Sequence, residues 1–196
     1  MAPLIRDAKE ITVYFIHSRR WRENHNDDVI YFLGKSKVRF QVFLPNLTNS
    51  TLMESIVSHF DDGPHIPGFI ADAYRYFMGL KQAHLGKVEI RLFDAYPTYS
   101  FYRFDDKAIV AMYPTTPIRK SVPAFFVARD GIFGEFLAQD WNSLLHDCRL
   151  LTIDELRLIT EQVNTAQVKG QTRQMENLEA RATKRFPRTR QKTPRR

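Results

Sequence analysis

The chain has 196 residues, a formal net charge of +7 and a hydrophobic fraction of 43%, with 15 Phe. That is material for one globular core plus an appendage, and it excludes wholesale disorder. No apolar run reaches the ~18–20 residues that span a bilayer. Residues 1–10 lack the apolar stretch of a secretory signal, and the single Cys148 allows no internal disulfide, which points to a reducing, cytoplasmic setting.

The charge is unevenly placed. From Lys169 onward ten Lys and Arg face only Glu176 and Glu179, so this segment carries +8 and residues 1–168 carry −1. The body has no overall pull toward polyanions; the tail does. Arg185–Arg196 holds Pro187, Pro194 and one large apolar residue, Phe186. It is expected to be disordered. Lys184, Arg185, Arg188, Arg190, Lys192, Arg195 and Arg196 form a candidate nucleic-acid-binding tail, because such clusters release counterions from phosphates. The plainest reading of the tail is nevertheless a solubilising one, and a contact with anionic lipid or a partner is a third.

In chain order, Ile11–Ser18 is β-branched and aromatic and reads as a buried strand. Asn26–Leu33 reads as a short helix ended by Gly34. Lys37–Pro45 alternates at first, then runs apolar: a second strand. Leu52, Met53, Ile56, Val57 and Phe60 have helical spacing behind a Thr48 cap. Asp61–Gly68 is a loop by its turn residues. Phe69–Leu85 is a second helical stretch, and Lys87–Ala95 alternates as a strand with one wet face. Tyr99–Phe104 and Lys107–Tyr113 flank Asp105-Asp106 as a hairpin, and Pro123–Ala128 is a further strand. Asp130 caps a helix over Gly131–Asp147, and Thr152 with Glu155 offers a capping box for a last helix that fades by Gly170. Crossover helices in the first half and a hairpin in the second predict an α/β fold, a mixed sheet flanked by helices. The predicted organisation is an α/β domain over 1–150, a C-terminal helix over 151–169 and the basic tail over 170–196.

No phosphate-binding loop, dinucleotide fingerprint or zinc motif is present, so no metal or cofactor is expected. Two places carry candidate chemistry. His17-Ser18-Arg19-Arg20-Trp21 leaves the first strand, where open α/β sheets hold ligands, and its two Arg could grip an anion. The second place is the hairpin from Tyr99 to Tyr113.

The segment Lys87–Ala111, KVEIRLFDAYPTYSFYRFDDKAIVA, resembles the core of a phospholipase D-like domain, in a degenerate bacterial branch. The ITVYF and VRFQVFLPN segments and the Phe136-to-Trp141 spacing fit the same pattern, so the resemblance runs from about Ile11 to Leu145. It implies half of a phospholipase D-like module, which homodimerises or never forms the paired site. The enzymes of that family use His-x-Lys-x4-Asp, in which His attacks phosphorus and Lys holds a phosphate oxygen. Asp105 matches the Asp, but Thr98 and Ser100 stand at the His and Lys places. A hydroxyl without a base beside it is a poor nucleophile. The resemblance therefore implies the fold without the reaction, and no catalytic residue is assigned.

A phosphate-sized pocket lined by Arg19, Tyr99, Ser100, Arg103, Asp105 and Tyr113 is the expected ligand site. Its alternative is a hairpin salt link between Arg103 and Asp105 or its neighbours. The function expected is a non-catalytic regulatory domain that senses a phosphate-bearing small molecule or nucleic acid, in bacterial signalling or phage-related defence by family association. The alternatives are a divergent phosphodiesterase or nuclease with a reassigned nucleophile such as His17, and a nucleic-acid binder acting through its tail.

Overall fold

Apolar residues recur at every second position on three strands. They are Ile11 and Val13 on β1 (Glu10–Tyr14), Phe40, Val42 and Leu44 on β2 (Arg39–Pro45), and Val88, Ile90 and Leu92 on β3 (Val88–Phe93), all buried. The three strands pair in parallel, with Val13 beside Val42 and Val42 beside Ile90, so one sheet face is a continuous apolar layer. The computed structural model describes residues 1–60, 63–113, 123–152, 154, 155, 158, 159 and 161. Met1–Ile159 form one compact unit; of the second unit, Thr160–Arg196, only Glu161 is described. The basic tail and the fading end of the last predicted helix therefore lie outside the described residues. Among the described residues no helix is long and apolar enough to cross a membrane.

The protein is α/β, with a mixed seven-stranded sheet flanked by helices. The remaining strands are β4 (Tyr99–Phe104), β5 (Lys107–Met112), β6 (Ala124–Ala128) and β7 (Arg149–Leu150), and the sheet order is β6-β5-β4-β1-β2-β3-β7. β4, β5, β6 and β7 are each antiparallel to their neighbours. Helices α2 (Arg19–Gly34) and α4 (Ile66–Ala83) cover the apolar face. There Phe32 and Phe77 meet Phe40, with ring centroids 6.3 and 5.9 Å apart, and Trp21 lies 5.5 Å from Tyr102. α1 (Ala2–Asp7) packs on α2, and α3 (Ser50–Ser58) on α4. On the opposite face, among the described residues, lies α5 (Ile132–Asp147).

Several boundaries differ from the sequence reading. The sequence pattern predicts no helix before β1, yet Ala2–Asp7 is helical, with Pro in its first turn and Ile5 fully buried. The predicted short helix at Asn26 starts at Arg19 instead. Its polar first half hides the signal, while Trp21, Arg22, Asp28, Val29, Phe32 and Leu33 form its buried side. β1 ends at Tyr14 rather than Ser18. Asn49, not Thr48, caps α3, its side chain accepting from the Leu52 amide at 3.0 Å; the Thr48 hydroxyl instead donates to Asn46 Oδ1 at 2.7 Å. Gly131, not Asp130, caps α5. That helix starts hard against β6, since a Cβ on Gly134 would lie 2.2 Å from the Ala128 carbonyl oxygen. The Thr152–Glu155 box is present: the Glu155 amide donates to Thr152 Oγ1 at 3.3 Å, and the Thr152 amide donates to Glu155 Oε2 at 3.0 Å.

The hairpin turn fixes the register of the sheet's centre. Asp105 has φ +53°, a left-handed conformation that Asp tolerates better than most residues. Its Oδ1 accepts from the Lys9 and Glu10 amides at 3.0 and 2.8 Å, and its own amide donates to the Glu10 carbonyl at 3.0 Å. The expected Arg103–Asp105 link is not made, because this carboxylate is spent on the backbone. Arg103 instead has its Nη2 3.7 Å from Glu10 Oε2. Asp105→Ala strips two backbone amides of their acceptor, as loss of a helix N-cap does, and should cost about 1 kcal/mol. Asp105→Asn, which keeps one side-chain oxygen and the tolerated φ, should recover part of that loss; thermal unfolding of both variants checks it.

A candidate anion-binding groove under the last helix

Central parallel strands covered on both faces ordinarily carry apolar residues throughout. Here the face toward α5 breaks that rule. Thr12 at the centre of β1 is 1% exposed and Gln41 at the centre of β2 is 8% exposed. The register places Arg103 of β4, Thr12, Gln41 and Glu89 of β3 in one row across four strands. The next row toward the strand carboxyl ends is Phe101, Tyr14, Phe43 and Arg91. Trp141 of α5 sits on its aromatic part, 4.7 Å from Phe43, 5.2 Å from Phe101 and 6.2 Å from Tyr14 between ring centroids. Tyr99 adds a polar tether by donating to Asp140 Oδ2 at 2.5 Å. Among the described residues, α5 thus covers the aromatic half of the face, and a cavity lies over the polar half.

Glu89 organises the polar half. Arg91 Nε donates to its Oε1 at 2.5 Å, Gln41 Nε2 to the same oxygen at 3.3 Å, and Arg39 Nη2 to its Oε2 at 3.1 Å. Burial raises the Glu89 pKa, but the hydrogen bonds from Arg91 and Arg39 outweigh it and hold the carboxylate below its ordinary range. Arg91 also donates to the Cys148 carbonyl at 3.2 Å, so it is tied at both ends.

Two cavities open onto this surface. One, of about 210 Å³, runs between α5 and the β4–β6 strands, with Phe101, Val127, Leu137 and Trp141 on its apolar side and Arg103, Lys107 and Arg129 on its polar side. The other, of about 430 Å³, lies over the polar row, lined by Glu10, Arg39, Gln41, Arg91, Arg103 and His146 among others. Arg103, Trp141 and Asn142 line both, so Arg103 stands at the junction. Its Nε is buried without a hydrogen-bond partner. Burial above all lowers its pKa, with Arg129 and Arg39 adding to the effect against Glu10 and Asp105. The Nε edge of Arg103 is thus buried and free of a hydrogen-bond partner while Nη2 pairs with Glu10, and a guanidinium edge of this kind can donate to an anion in bidentate fashion.

The sequence-predicted ligand set does not converge on one place. Arg103 lines the groove, and Asp105 reaches its margin only as the backbone clamp described above. Tyr99 faces α5 but is spent on Asp140. Ser100 is on the opposite sheet face, its hydroxyl donating to the Ala111 carbonyl at 3.3 Å, because successive residues of a strand point to opposite faces. Arg19 and Tyr113 lie at the other end of the sheet. Arg19 pairs with Glu23 at 2.9 Å and stacks over Phe69, and Tyr113 Oη accepts from the Ile16 amide at 3.1 Å. From Tyr99 to Arg103 alone the strand rise is ~13 Å. Arg39, Gln41, Glu89 and Arg91, outside the predicted set, carry a visible signal in the polar alternation at the start of β2 and the wet face of β3; Thr12, within the apolar run of β1, carries none.

The strand carboxyl ends form a second polar region. His17 packs 5.5 Å from Phe69 and 6.5 Å from Phe60, and its Nδ1 accepts from the Arg19 amide at 3.3 Å. Burial first, then the charges of Arg22 and Arg19, lowers its pKa to about 4. The His17 ring is therefore neutral at pH 7, in a setting that favours neither an imidazolium nor its use as an acid.

No family model matches the chain, and no curated protein does. Among solved structures it is similar to TrmBL2, an archaeal chromatin protein whose structure is described as showing a novel mode of DNA binding. The identity is 13% and the TM-score 0.47, over 76% of this chain and 48% of that one. The present chain thus spans about half the length of that neighbour.

The His17 environment makes a pH prediction. A folded-state pKa of about 4 against an unfolded value near 6.5 means that the unfolded chain takes up the proton first. The contribution is fully present above about pH 6.5 and is lost as the pH falls toward about 4. Unfolding free energies between neutral and mildly acid pH should fall for the wild type and fall less for His17→Gln.

Proposed function

We propose that this protein is a non-catalytic, regulatory ligand-binding domain that takes a phosphate-bearing molecule in the groove under α5. The observation that carries this reading is Arg103: a guanidinium with a buried, unpartnered Nε between two joined cavities and beside Arg39 and Arg129. Phosphate offers paired oxygens that accept the two parallel N–H bonds of a guanidinium fork. The apolar wall of Phe101, Val127 and Leu137 suits the body of a small molecule better than a bare ion. The resemblance to phospholipase D-like domains belongs to the same proposal, as the ancestry of the fold. Thr98 and Ser100 supply neither its nucleophile nor its phosphate-binding amine, and Arg103 sits at the opposite end of β4 from both.

A second reading rests on the charge distribution. The +8 carried from Lys169 onward adds a nucleic-acid contact through the tail, independent of the groove.

A thermal-shift series with inorganic phosphate, nucleoside monophosphates and short oligonucleotides tests both. A groove ligand at a hundred times its Kd should stabilise the fold by ~2.7 kcal/mol. Arg103→Gln should abolish that response while leaving the unliganded melting temperature within a few degrees of the wild type, since it removes a buried unpartnered Nε at the cost of one long, half-exposed ion pair to Glu10; an equal response in the variant overturns the groove reading. Removing residues 170–196 should leave the groove response intact and flatten the salt dependence of oligonucleotide binding. Incubation of the purified chain with a bis-aryl phosphodiester in the presence of chelator should give no turnover above buffer.

A further inference from the structure

The two edges of the sheet are treated differently. On one edge β7 is only two residues long, and it presents Arg149, which is ion-paired to Glu155. Short charged strands of this kind prevent further pairing. On the other edge β6 is five residues, Ala-Phe-Phe-Val-Ala, with no charge, no proline and β5 as its partner on one side. Its side chains are exposed on both faces: Phe125 is 47% and Phe126 61% exposed. Beside it, where Gly134 brings α5 against Ala128, the first turns of α5 expose Ile132 at 91%, Phe133 at 43% and Phe136 at 56%. Phe133 and Phe136 stack on each other, with centroids 6.3 Å apart. Among the described residues no strand pairs with the outer side of β6, and an uncharged edge strand flanked by exposed aromatics is a pairing template.

We infer that β6 pairs antiparallel with β6 of a second copy, about a two-fold axis through Phe126, joining the two sheets into one. Three observations select a second copy as the occupant. The strand is nearly palindromic about Phe126, so the two-fold places Phe126 opposite its own counterpart, Phe125 opposite Val127 and Ala124 opposite Ala128, with no apolar residue facing a charge. Such an axis runs perpendicular to the sheet, so both α5 helices lie on the same side, where Phe125 and Val127 also point. The area suffices: the exposed parts of Phe125, Phe126, Ile132, Phe133 and Phe136 come to about 500 Å² per copy at ~180 Å² for a fully exposed side chain. Two copies therefore bury on the order of 1,000 Å², the threshold for a specific interface, before any backbone hydrogen bond is counted.

The arrangement has a consequence for the groove. Val127 forms the outer wall of the 210 Å³ cavity beside Arg103. Side chains directly opposite across an antiparallel pair stand ~5 Å apart. The second copy's Phe125 thus lies against that wall, so dimerisation closes the outer side of each cavity. The dimer itself does not depend on any ligand reading.

The test uses the full chain. Light scattering on a dilution series should give twice the chain mass, dissociating on dilution. Phe126→Lys should run as a monomer with its thermal unfolding still cooperative, because Phe126 is largely exposed within one copy. A second variant guards against misfolding. Across an antiparallel pair Cα atoms stand ~4.5–5.5 Å apart, inside the ~4.4–6.8 Å range for a disulfide. Phe126→Cys should then oxidise to a covalent dimer, while Leu85→Cys, 83% exposed elsewhere, should not. A wild-type chain monomeric at every concentration, a dimer that survives Phe126→Lys, or a Phe126→Cys chain that does not cross-link would each overturn the proposal.

Discussion

Trp141 reaches from α5 onto Tyr14, Phe43 and Phe101, and the use of the second sheet face follows from this seat. The first face needs two long helices, because its buried residues continue across β1, β2 and β3 without interruption. On the second face α5 lies over the aromatic row at the carboxyl half of the strands. It is held there by ring contacts, by the Tyr99–Asp140 bond and by the close approach at Gly134. The amino half is left to Thr12, Gln41, Glu89 and their arginines. Burying polar groups in the centre of a sheet costs stability unless each finds a partner. Glu89 meets that condition for Arg39, Gln41 and Arg91 together, which is why the row can exist beneath a cavity rather than beneath a second helix.

Arg103 is the exception in that network. It shares the row of Thr12 and Gln41; the hairpin's own carboxylate, Asp105, is occupied by the Lys9 and Glu10 amides, and the ion pair Arg103 makes is with Glu10, Nη2 to Oε2 at 3.7 Å. The same turn that locks β4 against β1 therefore deprives Arg103 of its most obvious partner. The Arg103 Nε is left buried without a hydrogen-bond partner, and an unsatisfied buried donor is costly unless something else completes it. The two cavities meet at this side chain, so the space to complete it is there.

The alternation of polar and apolar residues was enough to determine the α/β class, nearly every strand, the hairpin, the two helices over the first face and the capping box at Thr152. All of these depend on local periodicity or on side chains a few residues apart. The uneven charge was equally plain, because counting needs no structure. Helix starts were less legible. The first turns of α2 are polar on the outside, and Arg22 is buried only because α2 lies against α4, whose Asp72 carbonyl accepts from it at 3.4 Å.

The site was half legible. The hairpin sequence points to Arg103 and the alternation of β3 to a wet face, but nothing in the sequence joins them. Residues 103, 12, 41 and 89 become neighbours only through strand register, and register is set by the Asp105 clamp and by the order β4-β1-β2-β3. For the same reason Ser100 and Arg103, three apart in sequence, are separated by the thickness of the sheet. The sequence by itself determined which residues could bear charge in a strand. Tertiary structure decided which of them share a face, because a period of two assigns faces within a strand while only cross-strand pairing brings those faces together.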